Sequence, residues 1–273
     1  MRNRLLHIIP LLAALLLTAC IGETDAPQGG QGTFSLDLVT EGLNVEIETR
    51  AARQLTADEA KAFKITLNDA EETIWERKAF TDITLADRTQ RLGEGYVVMA
   101  ENITPEEAES NNKGWGARRF AGSSEPFAIV SNKTTLVTIP CAMVNAGLCV
   151  VFDKSFTDFF TDYAVTTDDQ RSLKFNYSNA FSMNTSTGTH SGAIAYYNTD
   201  ASTDTYELPL LITASAGWEG TVRLNRVLTL KAGKITQLKV KYNSPEPTEG
   251  NITLSISYDD EFTEGTNTEI FLE

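Results

Sequence analysis

The stretch that decides the fold is Phe-Ala-Ile-Val-Ser-Asn-Lys-Thr-Thr-Leu-Val-Thr-Ile, at residues 127–139. Apolar and polar side chains alternate on both sides of its polar Ser-Asn-Lys centre, a pattern that predicts two strands joined by a short turn. The same pattern returns as Leu-Thr-Leu-Lys-Ala-Gly-Lys-Ile-Thr-Gln-Leu-Lys-Val at residues 228–240. The chain is therefore predicted to contain one kind of β-hairpin twice.

A second matched pair has nearly the same separation, because Phe-Lys-Ile-Thr-Leu-Asn-Asp at 63–69 corresponds to Tyr-Ala-Val-Thr-Thr-Asp-Asp at 163–169. Two matched sets predict two similar domains of about 100 residues each, the size of a small β-sandwich. We therefore predict an all-β fold with two tandem Ig-like or transthyretin-like β-sandwich domains and short helical turns. The predicted boundaries are 1–19 for a signal peptide, 20–32 for a flexible tether, 33–145 for the N-terminal sandwich and 146–273 for the C-terminal sandwich.

Three short helices are predicted from local capping signals. Thr56 and Glu59 have the spacing of a capping box, and so do Thr104 and Glu107, where Pro105 occupies the first helical position. The polar residues from Ser155 to Asp158 predict a third capped helix before two phenylalanines.

The first twenty residues have the features of a bacterial lipoprotein signal. Arg2 and Arg4 precede an apolar run that is too short to span a bilayer comfortably. Leu17-Thr18-Ala19-Cys20 then matches the lipobox, which predicts a lipid on Cys20 and hence a membrane as partner. Since Ile21 rather than Asp follows the cysteine, we expect an outer-membrane lipoprotein. The acidic residues Glu23 and Asp25 resemble the export tags of surface lipoproteins, so we expect it to face the cell surface.

Composition argues against several classes of function. The formal net charge is −14, and removal of Arg2 and Arg4 with the signal makes it −16, which disfavours nucleic acid as a partner. His190 is the only histidine after the signal, and no serine lies in a G-x-S-x-G motif. We therefore expect no catalytic residue, no metal site and no cofactor, and we expect a protein that is not an enzyme.

A polar, glycine-containing loop at 111–124 holds the candidate binding surface, which consists of Trp115, Arg118 and Arg119. Trp and Arg are the residue types most often found at binding hot spots. The alternative is that Trp115 and Phe120 cover the edge of the sandwich.

Cys141 and Cys149 lie on either side of the predicted domain boundary. If the chain reverses at residues 145–147, they come close enough for a disulfide. If the chain runs straight, they stay far apart as two small buried thiols. The strand-like pattern on both sides favours the straight path.

Several motifs in a fixed order give the chain a family resemblance. They are the lipobox, Gly-Thr-Phe-Ser-Leu-Asp-Leu at 32–38, Thr-Arg-Ala at 49–51, Leu-x-x-Gly-Tyr-x-Val-x-Ala at 92–100, Phe-x-Ile-x-x-x-Lys-Thr-Thr at 127–135, Phe-Phe-x-Asp-Tyr-x-Val-Thr at 159–166 and Ala-Gly-Lys-x-Thr at 232–236. Together they resemble a family of lipid-anchored tandem β-sandwich proteins of anaerobic gut bacteria, broadly similar to fimbrillin-type pilins and their anchor subunits. The resemblance carries over no catalytic residues.

Arg50 and Arg53 are basic positions in an acidic chain, so they are candidates for protease processing or are incidental arginines of an exposed loop. The resemblance to fimbrillins implies that cleavage there would remove residues 34–48 and allow polymerisation by strand exchange. Three hypotheses follow. The first is a surface lipoprotein for adhesion or binding, such as a fimbrial accessory or anchor with fimbrial subunits as partners. The second is a polymerising pilin subunit released by that cleavage. The third is a surface module that binds host or other glycans through its tryptophans.

Overall fold

The computed structural model describes residues 30–40, 53–184, 189–216, 221–246, 249–258 and 265–271. Up to Met143, the first half contains β1 (Gln31–Thr40), β2 (Arg53–Gln54), α1 (Ala57–Ala60), β3 (Lys64–Asn68), β4 (Thr73–Ala79), a 3₁₀ turn (Phe80–Asp82), α2 (Leu85–Arg88), β5 (Thr89–Arg91), β6 (Gly93–Glu101), α3 (Pro105–Ser110), a second 3₁₀ turn (Asn112–Gly114), β7 (Phe120–Ser123), β8 (Phe127–Ile129) and β9 (Thr134–Met143).

From Ala146 onwards, the second half contains β10 (Ala146–Phe152), α4 (Lys154–Phe159), β11 (Asp162–Thr167), β12 (Lys174–Phe175), β13 (Ser182–Asn184), β14 (Thr189–Ser191), β15 (Ala195–Tyr197), β16 (Thr205–Ser215), β17 (Thr221–Lys231), β18 (Ile235–Glu246), β19 (Glu249–Tyr258) and β20 (Gly265–Phe271). Strands dominate and the helices are short turns, so the predicted all-β class is confirmed.

The nine strands of the first half form one curled sheet. Its order is β2-β1-β9-β7-β6-β3-β4, with β5 paired to β1 and β8 paired to β6. Strand β7 pairs with both β6 and β9, so it connects the two layers of the sandwich. The strands of the second half form separate sheets of order β15-β10-β18-β19-β20 and β12-β11-β16-β17, with β13 and β14 as a small hairpin.

The two halves share a parallel strand pair, whereas the other strand pairs among the described residues are antiparallel. In the first half, β1 runs parallel to β9, with Phe34 opposite Thr135. In the second half, β10 runs parallel to β18, with Leu148 opposite Thr236. Thr135 and Thr236 occupy the same place in the repeated sequence pattern. The repeated segments thus contribute equivalent strands to equivalent sheets. The prediction that each segment forms a β-hairpin was wrong, because β8 pairs with β6 and β17 pairs with β16, and neither pairs with the strand that follows it across the turn.

Alternating apolar residues of these strands fill two large cores. In the first half, fully buried Phe34, Ile65 and Ile139 come from β1, β3 and β9. In the second half, Leu148, Phe156 and Leu208 come from β10, α4 and β16. Burying such side chains contributes about 1.5–3 kcal/mol each, which makes these strands the main source of stability.

Local capping chemistry forms the short helices. Thr104 accepts a hydrogen bond from the backbone N–H of Glu107, whose side chain accepts from the N–H of Thr104, as the capping box predicted. Thr56 and Glu59 make the same reciprocal pair before α1. The predicted capped helix near Ser155 is confirmed as α4, and its cap is Asp153, which accepts a hydrogen bond from the N–H of Ser155.

Candidate functional site

The loop predicted to bind lies between the two halves. We define the junction loop as residues 111–119, which follow α3 and lead into β7. The carbonyl of Trp115 accepts a hydrogen bond from the backbone N–H of Tyr196, at 2.8 Å, and this contact ties the loop to β15 of the second half. The same strand pairs with the first residues of β10, so the contact lies where the chain crosses between the halves.

Trp115 packs onto the core of the second half although it belongs to the first. Its ring meets that of Phe175 edge to face, with centroids 4.9 Å apart and an interplanar angle of 87°. The side chain is half-buried in this position. Aromatic pairs in this arrangement contribute about 0.5–1.5 kcal/mol beyond the area that they bury. One role of Trp115 is therefore to hold the halves together.

Gly116 makes this close approach possible. Its φ of +82° lies in the left-handed region, which favours glycine. A Cβ at this position would lie 2.8 Å from the carbonyl oxygen of Ala108 and 2.9 Å from that of Tyr196. Only a residue without a side chain fits between α3 and β15 at this point.

The two arginines of the candidate surface face different partners. Arg118 donates from Nε to the hydroxyl of Tyr196 at 2.9 Å, across the junction. Arg119 turns back into the first half, where its Nη2 lies 3.0 Å from Oε2 of Glu101. Burial lowers the pKa of the Arg119 guanidinium, while the neighbouring carboxylate of Glu106 opposes that shift. Arg119 remains charged at neutral pH, because a guanidinium is not deprotonated in proteins.

Arg171 of the second half also contacts the junction loop, and no pattern in the sequence predicted this contact. Its Nη1 donates to the carbonyl of Gly114 at 3.2 Å and to that of Tyr196 at 2.8 Å. Its guanidinium carbon lies 3.8 Å from the ring centroid of Tyr197, and Nε lies 3.3 Å from Oδ2 of Asp169. Arg171 therefore binds both halves with one planar group, as a guanidinium can and an ammonium cannot.

Asn145 fixes the chain between the halves. This side chain is 1% exposed, and it accepts from the N–H of Arg119 and donates to the carbonyl of Ala117. Its own carbonyl accepts from Gly233, in the turn between β17 and β18. A buried amide is stable only when its hydrogen bonds are satisfied, so Asn145 orders the junction from both sides.

The structure thus brings Trp115 and Arg118 together with the missed residues Arg171, Asp169, Tyr196 and Tyr197. No local signal in the sequence marked the second group, because the contacts join positions far apart in the chain. These contacts give the loop a structural role. Ligand binding by Trp115, Arg118 and Arg119 stays a prediction.

The two cysteines after the lipobox are free and buried. Cys141 lies in β9 and faces the core of the first half, whereas Cys149 lies in β10 and packs with Phe181 and Ile235. The disulfide alternative was therefore wrong, because the two strands point these side chains into different cores. Burial raises the pKa of the Cys141 thiol to about 11, which leaves the thiol protonated and unreactive at neutral pH.

The predicted lipidation and processing residues lie wholly or partly outside the described residues. Cys20 and Arg50 are outside the described residues. The backbone of Arg53 is the first residue of β2 and pairs with Thr40, but its side chain is not described. Cleavage and lipidation at these positions stay predictions.

Within the described ranges, no group of three or more His, Cys, Asp and Glu side chains is arranged to hold a metal ion. No helix in that part of the chain is both long and apolar enough to cross a membrane.

Comparison with solved structures finds fimbrial proteins of low sequence identity to this chain. The chain is similar to a fimbrial assembly protein from Parabacteroides distasonis, with 12% identity over 84% of this chain and 98% of that chain, and a TM-score of 0.44. It is also similar to the fimbrial anchor protein Mfa2 from Porphyromonas gingivalis, with 7% identity over 81% of this chain and 97% of that chain, and a TM-score of 0.38. No curated protein matches the chain. The model of the family described as Domain of unknown function (DUF4493) matches residues 30–272, and the chain therefore belongs to that family.

Proposed function

We propose that this protein is a non-enzymatic lipoprotein of the outer membrane that holds its second half away from the cell surface for adhesion or for attachment of fimbrial subunits. The solved fimbrial proteins named above have roles of this class by name. The support for the present proposal comes from this chain's own residues. The lipobox at Cys20 supplies an attachment point. The course of β1 indicates which half of the protein lies farther from that point.

That direction is the observation on which the proposal depends. Strand β1 starts at Gln31, eleven residues after Cys20, and runs parallel to β9 from Thr33 opposite Thr134 to Thr40 opposite Cys141. The end of β9 leads through Asn145 into the second half. The start of β1 therefore lies at the end of the first half that is remote from the second, about 25 Å away at the usual rise per residue. A lipid at Cys20 would thus leave the second half outermost.

The two halves are proposed to be two domains with the boundary at 145/146. Each paired set of strands stays within one half among the described residues, which supports this division. The contacts of the junction loop support a fixed angle between the domains.

Replacement of Cys20 by Ser tests the anchor. We expect the parent protein to take up radiolabelled palmitate and to sediment with the outer membrane. The C20S variant should lose the label and leave the membrane fraction. Membrane association of unlabelled C20S at the parent level would contradict the proposal.

Protease added to intact cells tests the surface location. The second half should be degraded while a periplasmic marker protein stays intact. Protection of the second half in intact cells, followed by degradation after lysis, would contradict surface exposure.

A polymerising pilin is the second candidate, and the structure of β1 bears on it. This strand lies between β9 on one side and β2 and β5 on the other, and it carries the fully buried Phe34. Cleavage after Arg50 or Arg53 would remove β1 and expose the core beside β9. The mass of the mature protein distinguishes the candidates, because a start at Cys20 supports the anchor and a start at Ala51 or Gln54 supports the pilin.

A further inference from the structure

Strand β17 forms a long free edge on the second half. It pairs with β16 over its whole length, from Thr221 opposite Ser215 to Lys231 opposite Thr205. No other strand of the described part of the chain pairs with it. An edge of this length presents a row of backbone N–H and C=O groups that can pair with another extended segment.

The first half has two short strands at the corresponding place, of which β8 pairs with β6 alone. There β7 pairs with β6 and also with β9, so the sheet continues from one layer of the sandwich to the other. In the second half, β18 pairs with β10 and β19, and it does not pair with β17. An uninterrupted open edge of 11 residues is thus a difference between two halves that otherwise share their central pairings.

The charge of β17 is opposite to that of the molecule. The strand contains Arg223, Arg226 and Lys231 and no acidic residue, whereas the whole chain has 37 acidic and 23 basic residues. Arg226 donates to the carbonyl of its neighbour Asn225, and neither Arg223 nor Arg226 makes an ion pair within the described residues. Two arginines without a carboxylate partner are notable in so acidic a chain.

The apolar residues of this edge are also incompletely covered. Val227 is 64% exposed on the outer face. On the inner face, Val222 and Leu224 are half-buried against the core, while Leu210 and Ile212 of the neighbouring β16 are fully buried. The side chains of one more strand could therefore pack beside β17 along its free edge.

We propose that β17 accepts an acidic, extended segment of a partner protein as an added strand. The main chain of the segment would pair with the free edge, and its carboxylates would meet Arg223 and Arg226. These arginines lie three positions apart and so point to opposite faces of the sheet. The segment should accordingly carry two acidic residues with two residues between them, and β-branched residues elsewhere.

The probe is the end-capped peptide Thr-Val-Glu-Thr-Val-Glu-Thr-Val with a fluorescent label, titrated with purified protein. The matched peptide has Gln in place of both Glu residues. We expect the Glu peptide to bind about five- to tenfold more tightly, and that preference should shrink as salt is added. Hydrogen exchange should slow at residues 221–231 when the peptide binds.

Charge reversal provides the decisive comparison. The R223E/R226E double variant should lose the preference for the Glu peptide and bind a Lys version of it instead. The control is K133E/K174E, which changes the net charge equally at two exposed lysines outside β17. This control should bind the Glu peptide within about twofold of the parent because the change lies beyond the screening distance of salt. Circular dichroism checks that both variants are folded.

Four results would overturn the inference. They are equal binding of Glu and Gln peptides by the parent, undiminished binding by folded R223E/R226E, equal loss in K133E/K174E, and protection from exchange at another strand. A parent that dimerises through β17 in sedimentation experiments would assign the edge to a second copy and also contradict the proposal. The test is independent of lipid attachment, so failure of the anchor proposal would not affect its outcome.

Discussion

At the residue scale, a comparison of Gly116 with Gly114 distinguishes backbone strain from a steric clash. Both have positive φ, at +82° and +87° respectively, but a Cβ meets nothing within 4 Å at Gly114 and meets two carbonyl oxygens at Gly116. Alanine at either position strains the backbone. Only at Gly116 does it also push α3 away from β15.

We predict that G116A lowers the free energy of unfolding by about 2–3 kcal/mol and G114A by about 1 kcal/mol. Urea denaturation of both variants measures the difference. Equal losses would mean that the approach of Tyr196 to Gly116 contributes nothing to stability.

Asp69 provides a prediction about acid stability. Its pKa is about 2, below the ordinary 3.8, first because it accepts backbone hydrogen bonds from Glu71 and Glu72 and then because of Arg91. A carboxyl group whose pKa is lowered on folding stabilises the protein above its unfolded pKa and loses that effect as the pH falls towards its folded pKa.

The parent should therefore be more stable than D69N above about pH 4, and the difference should shrink between about pH 4 and 2. Asn keeps the acceptor oxygen for the turn but cannot titrate. Thermal unfolding at several pH values measures the difference, and a gap that stays constant down to pH 2 would contradict the assignment.

At the element scale, the junction loop is a segment of the first half that packs into the second. Its central contact is the edge-to-face pair of Trp115 and Phe175. Because the side chain is half-buried, its truncation should cost less than that of a fully buried aromatic residue.

We predict that W115A lowers the stability of the second half by about 2 kcal/mol and that W115F recovers part of the loss. Separate probes of the two halves, such as hydrogen exchange, should place the larger effect in the second half. A folded W115A variant with parental stability that loses binding to a glycan array would instead assign the ring to ligand binding.

Local signals predicted elements well where the relevant chemistry lies within a few residues. The strands and turns at 127–139 and 228–240 follow from alternation and turn residues, and they correspond to β8–β9 and β17–β18. Local signals did not show that the two strands of each segment pair with other strands and not with each other. The capping boxes at Thr56 and Thr104 are equally local. The helix near Ser155 was also predicted, but the pattern did not identify Asp153, two residues earlier, as its cap.

At the scale of the whole molecule, the junction should make the two halves one rigid unit. Arg171 contacts Gly114, Tyr196 and Tyr197 and is held by Asp169. Removal of its guanidinium leaves the carbonyls of Gly114 and Tyr196 short of a donor and should loosen the angle between the halves.

We predict a narrow distance distribution between spin labels at Lys133→Cys and Asp162→Cys, and a broader one when R171A is added. Cys141 and Cys149 are buried and should not take up label, and Cys20 is replaced by Ser in these variants. The matched control is R88A, which removes a guanidinium from α2, away from the junction. An equally narrow distribution in folded R171A would show that other contacts fix the angle.

The candidate site was predicted only in part. Its position in the loop at 111–124 was identified from Trp115 and two arginines, but the partner group around Arg171 was not. Hydrogen bonds between residues such as Arg118 and Tyr196, 78 positions apart, leave no periodic trace in the sequence. The same holds for the parallel pairing of β1 with β9, which requires most of the first half to fold between the two strands.

The sequence by itself determined the strands, their turns, the capping boxes and the repeated strand–turn–strand pattern, because alternation and capping act between neighbouring residues. It also predicted the lipobox at Cys20. Only the tertiary structure decided that Trp115 packs on the opposite half, that Cys141 and Cys149 remain separate thiols, and that β17 ends a sheet with its edge open. Those outcomes depend on which surfaces meet once the strands have formed, and such contacts are set by packing over the whole chain.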